Sequence, residues 1–224
     1  MEEDDMLNNV GRITAIAVLI IFVFTGCSNS FNDKNGTINS ENSETLVIDE
    51  VDTEYTTWTE LSETELIWFN EQFFNNPENQ IVNYFLQSEY SDVKNIDLFK
   101  LFYDLPKTSG DELTSEEIQL VRAQDDGFEL DIQKVPTKFM NEVLKTYANI
   151  TLEESNKIKL NLFIYLSEYD AYYMSRGDFH YTEYTMVSGQ KNSDGLVRLQ
   201  YENYEVVLAT NENGYYFISN LKNE

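Results

Sequence analysis

Residues 181–219 carry the pattern that most limits how this chain can fold. Runs rich in Tyr, Val, Thr and Ile occupy 181–187, 196–201, 204–210 and 215–219. Between them stand Asn192-Ser193-Asp194-Gly195 and Glu212-Asn213-Gly214. Asp-Gly and Asn-Gly pairs favour the positive φ angles of tight hairpin turns. The C-terminal part of the chain is therefore predicted to be an antiparallel β-meander.

The segment before this meander has the patterns of helices. Capping boxes at 62–65, 114–117 and 151–154 predict helix starts, and Pro136-Thr137 leads into a further amphipathic segment. After the first start, Leu66, Phe69 and Phe73 recur at helical spacing. Pro77 is predicted to end that helix, because proline lacks the backbone N–H that a helix interior requires.

Helices followed by a sheet predict an α+β fold, with N-terminal helices packed on the C-terminal antiparallel meander. Cystatin-like and NTF2-like folds share this order of elements, an analogy that rests on no motif. No second linker interrupts residues 46–224, so they are predicted to form a single globular domain. Aromatic residues make up 14% of the chain. They supply core material, since each buried ring removes about 150–250 Å² from water.

The N-terminus contains an uncharged apolar run at 13–24. In a helix this run spans about 18 Å, whereas the hydrocarbon core of a bilayer is about 30 Å thick. That length is typical of the apolar part of a signal peptide, so residues 1–26 are predicted to be one. The acidic start at 1–5 does not fit the positive start of a signal peptide. We therefore expect translation to begin at Met6, with initiation at Met1 as the alternative.

The only cysteine of the chain, Cys27, follows the apolar run directly. A single cysteine excludes an intrachain disulfide and a cysteine-based zinc site. The sequence Phe24-Thr25-Gly26-Cys27 resembles the lipobox of bacterial lipoproteins, although Phe24 replaces the usual aliphatic residue. This resemblance implies cleavage between Gly26 and Cys27 and attachment of acyl chains, such as palmitate, to the Cys27 thiol. Two or more such chains hold a protein firmly on a membrane.

Residues 27–45 are predicted to be the lipidated cysteine and a flexible polar tether. Residues 28–45 contain five Asn and four Ser, too polar a composition to offset the entropy of ordering. As a random coil this stretch averages about 23 Å end to end. A lipid-anchored domain needs such a spacer to clear the lipid headgroups.

The chain is strongly acidic, with 40 Asp and Glu against 15 Lys and Arg and a formal net charge of -25. Nucleic-acid binding depends on cations that neutralise phosphates, so no nucleic-acid partner is expected. The same charge opposes docking flat on anionic lipid.

Few catalytic or metal-binding patterns are present. On a strand, Asp178 and the single histidine, His180, point to one face while Glu183 points to the other, so no metal site and no cofactor are predicted. Arg176-Gly177-Asp178 resembles an integrin-recognition tripeptide, but Gly177 is explained as a turn residue. No nucleophile elbow, P-loop, H-E-x-x-H or EF-hand pattern occurs. Because the chain has many acids, hydrolysis catalysed by a pair of carboxylates is kept as an alternative function.

Ten tyrosines fall within residues 165–216. Aromatic faces bind sugars and peptides, and phenol hydroxyls orient them, although tyrosine also simply favours half-buried strands. The predicted ligand surface consists of Tyr172, Tyr173, Tyr181, Tyr184, Tyr201 and Tyr216.

The lipobox and the runs at 172–178 (Tyr-Tyr-Met-Ser-Arg-Gly-Asp) and 215–221 (Tyr-Tyr-Phe-Ile-Ser-Asn-Leu) make the chain similar to uncharacterised lipoproteins of low-GC Gram-positive bacteria. The resemblance covers most of the predicted domain and implies no particular activity. It implies that the domain stands on the outer face of the cytoplasmic membrane, towards the cell wall. We expect a non-enzymatic module that binds a protein, peptide or glycan. A carboxylate-dependent cell-surface hydrolase is the alternative, and a structural role in the envelope is a third possibility.

Overall fold

The computed structural model describes residues 57–103, 113–125, 131–175 and 182–223. Several sequence predictions lie outside these residues: the signal peptide 1–26, the tether 27–45 with Cys27, the tripeptide 176–178, His180 and Tyr181. The α-helices of the described part are α1 (Glu63–Trp68), α2 (Ile81–Tyr84), α3 (Leu98–Tyr103), α4 (Ser115–Gln124) and α5 (Thr137–Ala148). Its strands are β1 (Trp58–Glu60), β2 (Ile132–Pro136), β3 (Ile164–Leu166), β4 (Ala171–Ser175), β5 (Ser188–Asn192), β6 (Val197–Tyr201), β7 (Tyr204–Asn211) and β8 (Gly214–Lys222).

The predicted α+β fold with a C-terminal meander is confirmed. Strands β5 to β8 pair consecutively and antiparallel, and β1 adds to the free edge of β5, which gives a five-stranded sheet. Gly195 and Gly214 lie at the predicted turns with φ of +81° and +114°. These are angles that glycine adopts without steric cost. The helical layer packs on this sheet, as the parallel stacking of Phe85 on Phe217 at 4.7 Å illustrates.

The capping boxes at Ser62 and Thr114 form as predicted and start α1 and α4. Pro77 does not simply end the first helix, because α1 continues as a π-helix (Phe69–Phe74) and Pro77 then opens a short 3-10 turn. At Thr151 the capping hydrogen bonds also form, and Glu154 accepts from the Thr151 N–H at 2.8 Å. Only a turn follows there. The turn does not continue as a helix, because Lys157 adopts a φ of +54°, outside the helical region.

The strand predicted at 181–187 is wrong for its described residues, which lie before β5 and outside any strand. Side-chain amides of the helical layer bind this backbone instead of a neighbouring strand. Asn70 accepts from the Met186 N–H at 2.7 Å and donates to its carbonyl at 2.9 Å. Asn75 and Asn83 donate to the carbonyls of Tyr184 and Thr182 at 3.0 and 3.1 Å. Hydrophobic patterning predicts β-prone residues, but not which partner takes their hydrogen bonds.

A second sheet was not predicted from the sequence. Strands β2, β3 and β4 form a three-stranded antiparallel sheet with β4 in the centre. Together with α4 it encloses a small separate core of Val121, Ile132, Leu166, Ala171 and Tyr173. These strands are short and β3 holds three residues, so periodicity gives a weak signal.

Gly189 marks a close approach between β5, β6 and the residue after β1. A Cβ at this position would lie 2.6 Å from Leu199 Cδ2, 2.7 Å from Leu61 Cδ1 and 3.0 Å from the Arg198 carbonyl oxygen. We therefore expect Gly189→Ala to lower the free energy of unfolding by about 2 kcal/mol, the cost of overpacking a filled core. Urea denaturation measures this loss. Truncating Leu61 to Ala in the same chain is expected to recover part of it, and strictly additive losses would contradict the steric explanation.

Candidate functional site

The six tyrosines of the predicted ligand surface do not share one face. Tyr172 and Tyr173 lie on β4 of the small sheet, Tyr201 on β6 and Tyr216 on β8 of the large one, and Tyr184 lies in the segment before β5. Tyr181 is outside the described residues. Tyr173 and Tyr201 are 0% and 1% exposed. Neither ring is therefore accessible to a ligand in this conformation.

Tyr201 and its neighbours form a structural aromatic cluster. The Tyr201 ring stacks on Tyr204 at 5.5 Å and meets Tyr184 edge to face at 5.3 Å. Its hydroxyl donates to Asn220 Oδ1 at 2.7 Å, so the polar end of this buried side chain is satisfied. Burial raises the pKa of Tyr201, which keeps the phenol protonated as a donor. These contacts account for Tyr201 as a core residue.

Tyr172 lines a sizeable cavity. It is half-buried, and its ring lies 4.7 Å from that of Tyr165, a side chain that is 44% exposed. Burial raises the pKa of Tyr172, and the negative charge of Asp170 raises it further. The phenol therefore stays neutral and able to donate a hydrogen bond.

The cavity beside Tyr172 is an open groove of about 720 Å³ that runs along one side of α5 and the turn after it. We call it the lysine groove, lined by Thr137, Lys138, Asn141, Glu142, Lys145, Thr151, Leu152, Glu153, Lys157 and Tyr172. Its volume falls within the range of about 300–1,000 Å³ that is typical of small-molecule sites.

Asn141 fixes the floor of the lysine groove. Its Nδ2 donates to the Thr137 carbonyl at 3.0 Å, and its Oδ1 accepts from the Leu152 N–H at 2.9 Å. One side chain thus joins α5 to the turn at 151–155. These two hydrogen bonds link the helix side of the groove to the turn side.

The charges of the groove differ in balance from those of the whole chain. Three lysines and two glutamates line it, whereas the chain has 15 basic and 40 acidic residues. Lys138 makes only a long, exposed contact of 3.8 Å with Glu142. In the described part of the chain, no carboxylate lies within ion-pair distance of Lys145 or Lys157. Lys145 lies close enough to Glu154 to lower the pKa of that carboxyl, but it forms no ion pair with it.

The loop that carries Lys157 is held firmly in an unusual conformation. Lys157 has a φ of +54°, and its N–H donates to Ser155 Oγ at 3.3 Å. The next contacts come from Asn156, whose N–H donates to the Lys94 carbonyl at 2.8 Å and whose Nδ2 donates to Asn95 Oδ1 at 2.6 Å. A non-glycine residue at such an angle costs about 1–2 kcal/mol and persists only where its surroundings enforce it.

We expect Lys157→Gly to raise the free energy of unfolding by about 0.5–1 kcal/mol. Glycine removes the left-handed strain, which outweighs the extra entropy it gives the unfolded chain. Urea denaturation checks this result, with Lys157→Ala as the matched control because alanine keeps the strain. Equal stabilities of the two variants would contradict the interpretation.

A smaller cavity of about 350 Å³ lies on another side of α5, between that helix and the residues that lead into α2. Phe139, Val143 and Tyr147 of α5 face Pro77 and Ile81 across it. The Tyr147 hydroxyl donates to Asn79 Oδ1 at 2.6 Å and holds the two sides together. This cavity is more apolar in its lining than the lysine groove, and Glu142 borders both.

The described carboxyl groups with a shifted pKa are not suited to act as a catalytic acid. Such an acid needs a raised pKa. Hydrogen bonds from Lys191 and Ser62 lower the pKa of Glu65 to about 2, and those from Thr151 lower the pKa of Glu154. Burial alone raises the pKa of Glu117, but bonds from Lys134, Tyr173 and Thr114 outweigh burial and bring it to about 2. The carboxylate-dependent hydrolase stays a prediction.

Within residues 57–103, 113–125, 131–175 and 182–223, no cluster of three His, Cys, Asp or Glu side chains is placed to hold a metal ion. In the same residues, no helix combines the length and the apolar character needed to cross a bilayer.

The lysines of the groove were missed in the sequence. Lys138, Asn141 and Lys145 lie on one face of α5, because residues three and seven apart in a helix are neighbours, and this spacing is visible in the sequence. Lys157 reaches the groove from a loop whose path no pattern predicts.

Comparisons with known proteins give no relative for this chain. No protein-family model matches it, and neither the curated proteins nor the solved structures contain a match.

Proposed function

We propose that this protein is a membrane-anchored extracytoplasmic lipoprotein whose domain binds a ligand without catalysing a reaction. The anchor is the acylated Cys27, supported by the apolar run 13–24, the small residues Thr25 and Gly26, and the polar tether that follows. The ligand site is the lysine groove. The observation that carries this assignment is a preformed groove of about 720 Å³ that combines a half-buried aromatic ring with two lysines, Lys145 and Lys157, that form no ion pair with a described carboxylate.

The anchor is tested by expressing the full chain and its Cys27→Ala variant in a Gram-positive bacterium. We expect the parent protein in the membrane fraction, with a mass that corresponds to a chain beginning at an acylated Cys27. The variant is expected to lose both the acyl mass and the membrane association. A variant that is still cleaved before residue 27 and still sediments with membranes would overturn the anchor.

The site is tested with glycan and peptide arrays probed with the full chain in mild detergent. Lys145 is exposed on α5, so Lys145→Trp fills the groove without disturbing the core. We expect every retained ligand to lose at least about tenfold in affinity with this variant, the scale of a lost central contact. The matched control, Lys222→Trp, lies at the end of β8 outside the groove and is expected to bind like the parent chain. Arrays without any ligand sensitive to Lys145→Trp would overturn the proposal.

A further inference from the structure

We infer that the ligand of the lysine groove is a short anionic saccharide, one that carries a carboxylate or a phosphate on its sugar rings. This inference rests on the proposed binding function and names the chemical class of its ligand. Three features of the groove support it: its charge, its aromatic and hydroxyl lining, and the fixed position of one lysine.

The charge of the groove favours an anion over a cation. Lys138, Lys145 and Lys157 outnumber Glu142 and Glu153 among the lining residues. Since Lys145 and Lys157 have no described carboxylate within ion-pair distance, an anion that enters the groove meets ammonium groups without first breaking a salt bridge. A charge-assisted hydrogen bond to a carboxylate or phosphate is roughly twice as strong as a neutral one.

The net charge of the chain, -25 in full and -22 without residues 1–26, limits the size of that anion. A long polyanion extends beyond the groove and is repelled by the net negative charge of the chain. Charges separated by more than about 8 Å are screened at physiological ionic strength, so a ligand that fits inside the groove feels mainly the local lysines. This favours a short oligosaccharide over an extended polymer.

The lining of the groove suits a sugar ring. Tyr172 presents an aromatic ring, which packs against the apolar face of a sugar, and its neutral hydroxyl is a hydrogen-bond donor. Thr137 and Thr151 also line the groove, but Thr137 Oγ1 is buried and the Thr151 hydroxyl donates to Glu154 Oε2 at 2.9 Å. The hydroxyl that this lining offers to a sugar is therefore that of Tyr172. An aromatic platform with a few polar groups around it is the usual composition of a site for small ligands.

The position of Lys157 adds selectivity. Hydrogen bonds through Ser155 and Asn156 hold its backbone at a φ of +54°. The ammonium group therefore starts from a fixed main chain, and a ligand orders only the side chain. Preorganisation of this kind raises affinity by lowering the entropic cost of binding.

Isothermal titration calorimetry of the full chain in mild detergent tests the inference with three probes. These are the trimer of galacturonic acid, its neutral trimethyl ester, and galactose 6-phosphate. We expect the acid trimer to bind at least tenfold more tightly than the ester. If galactose 6-phosphate binds as well, the site recognises negative charge on either group. If galactose 6-phosphate does not bind, the site requires a carboxylate on a longer saccharide.

The variants separate charge from folding. Lys145→Ala and Lys157→Gly are each expected to lower the affinity for the acid trimer three- to tenfold and to leave the affinity for the ester unchanged. Lys222→Ala removes the same charge outside the groove and is expected to have no effect. Because Lys157→Gly relieves backbone strain, we expect this variant to be at least as stable in urea as the parent chain, and weaker binding with that result reflects the lost charge rather than unfolding.

Equal affinities for the acid trimer and the ester, or unchanged binding by both lysine variants, would overturn the inference. An array ligand that is a peptide or a neutral glycan and that Lys145→Trp excludes would also overturn it while the proposed binding function stands. Arrays without any groove-dependent ligand would overturn both.

Discussion

Asn220→Ala is expected to lower the free energy of unfolding by about 3 kcal/mol, because two buried groups and one half-buried group lose their partner at once. Asn220 is 0% exposed. Its Oδ1 accepts from the Tyr201 hydroxyl at 2.7 Å, and its Nδ2 donates to the carbonyls of Leu86 and Ser88 at 3.3 and 2.9 Å. Its backbone also pairs with that of Tyr90 in both directions, at 2.8 and 2.9 Å.

This one side chain therefore fastens the helical layer to β8. Leu86, Ser88 and Tyr90 belong to the segment after α2. Apart from the bridge between Tyr90 and Asn220, this described segment pairs with no strand. Loss of the amide leaves the Tyr201 hydroxyl and the Leu86 carbonyl without a partner in residues that are 1% and 5% exposed. Such groups cost about 1–3 kcal/mol each when they stay unpaired.

Urea denaturation of the full chain at pH 7 measures the effect, and two further variants isolate its cause. Asn220→Leu fills the same space but makes no hydrogen bond, so its loss is expected to match that of the alanine variant. Tyr201→Phe removes one bond and is expected to cost about 1 kcal/mol. In the double variant the two losses are expected to overlap, since both remove the same Tyr201–Asn220 bond. A loss below about 1 kcal/mol for Asn220→Leu would show that the network does not hold these layers together.

The parts of the fold that were predictable from the sequence are those set by local chemistry. The turns at Gly195 and Gly214 follow from residue type alone, because few other residues adopt their φ angles. The helix starts at Ser62 and Thr114 follow from side chains that bond to a backbone three residues away. These signals act within a few residues and need no tertiary contact.

The parts that were not predictable depend on distant partners. The segment 182–187 has the composition of a strand, yet Asn70, Asn75 and Asn83 bind its backbone from about a hundred positions earlier in the chain. The tyrosines show the same limit. Residue type predicts an aromatic side chain that suits a ligand surface or a core equally, and burial in the folded chain places Tyr173 and Tyr201 in the core.

The buried carboxylate of Glu117 provides the largest expected change in stability. Its Oε1 accepts from Lys134 Nζ at 2.7 Å and from the Tyr173 hydroxyl at 2.6 Å, and its Oε2 accepts from the Thr114 N–H at 2.8 Å. The Glu117 side chain is 1% exposed and that of Lys134 is 13% exposed. Glu117 therefore joins the start of α4 to β2 and β4 through charge-assisted hydrogen bonds.

Glu117→Ala is expected to lower the free energy of unfolding by about 4 kcal/mol, within the range for breaking a buried ion pair from one side. The loss has two sources: Lys134 keeps a partly buried charge without this carboxylate, and the Tyr173 hydroxyl loses its acceptor. Glu117→Gln retains an acceptor of the same shape, so its loss is expected to be about half as large. Urea denaturation at pH 7 compares the two. A glutamine variant as unstable as the alanine variant would show that Glu117 stabilises the fold mainly through its charge rather than through its hydrogen bonds.

The pH dependence of this contribution follows from the lowered pKa of Glu117, about 2 in the folded chain against an ordinary value of 4.5. A carboxyl group with a depressed folded pKa stabilises the fold fully above its unfolded pKa and loses that stabilisation as the pH falls towards its folded pKa. The shift corresponds to about 3 kcal/mol at pH 7, of which about 2 kcal/mol is lost by pH 3. Because a change of pH affects stability through more than one group, the parent chain is compared with Glu117→Gln at both pH values. We expect the stability difference between them to shrink by about 2 kcal/mol from pH 7 to pH 3. A difference that stays constant would mean that Glu117 titrates normally and that its contacts with Lys134 and Tyr173 do not stabilise its ionised form.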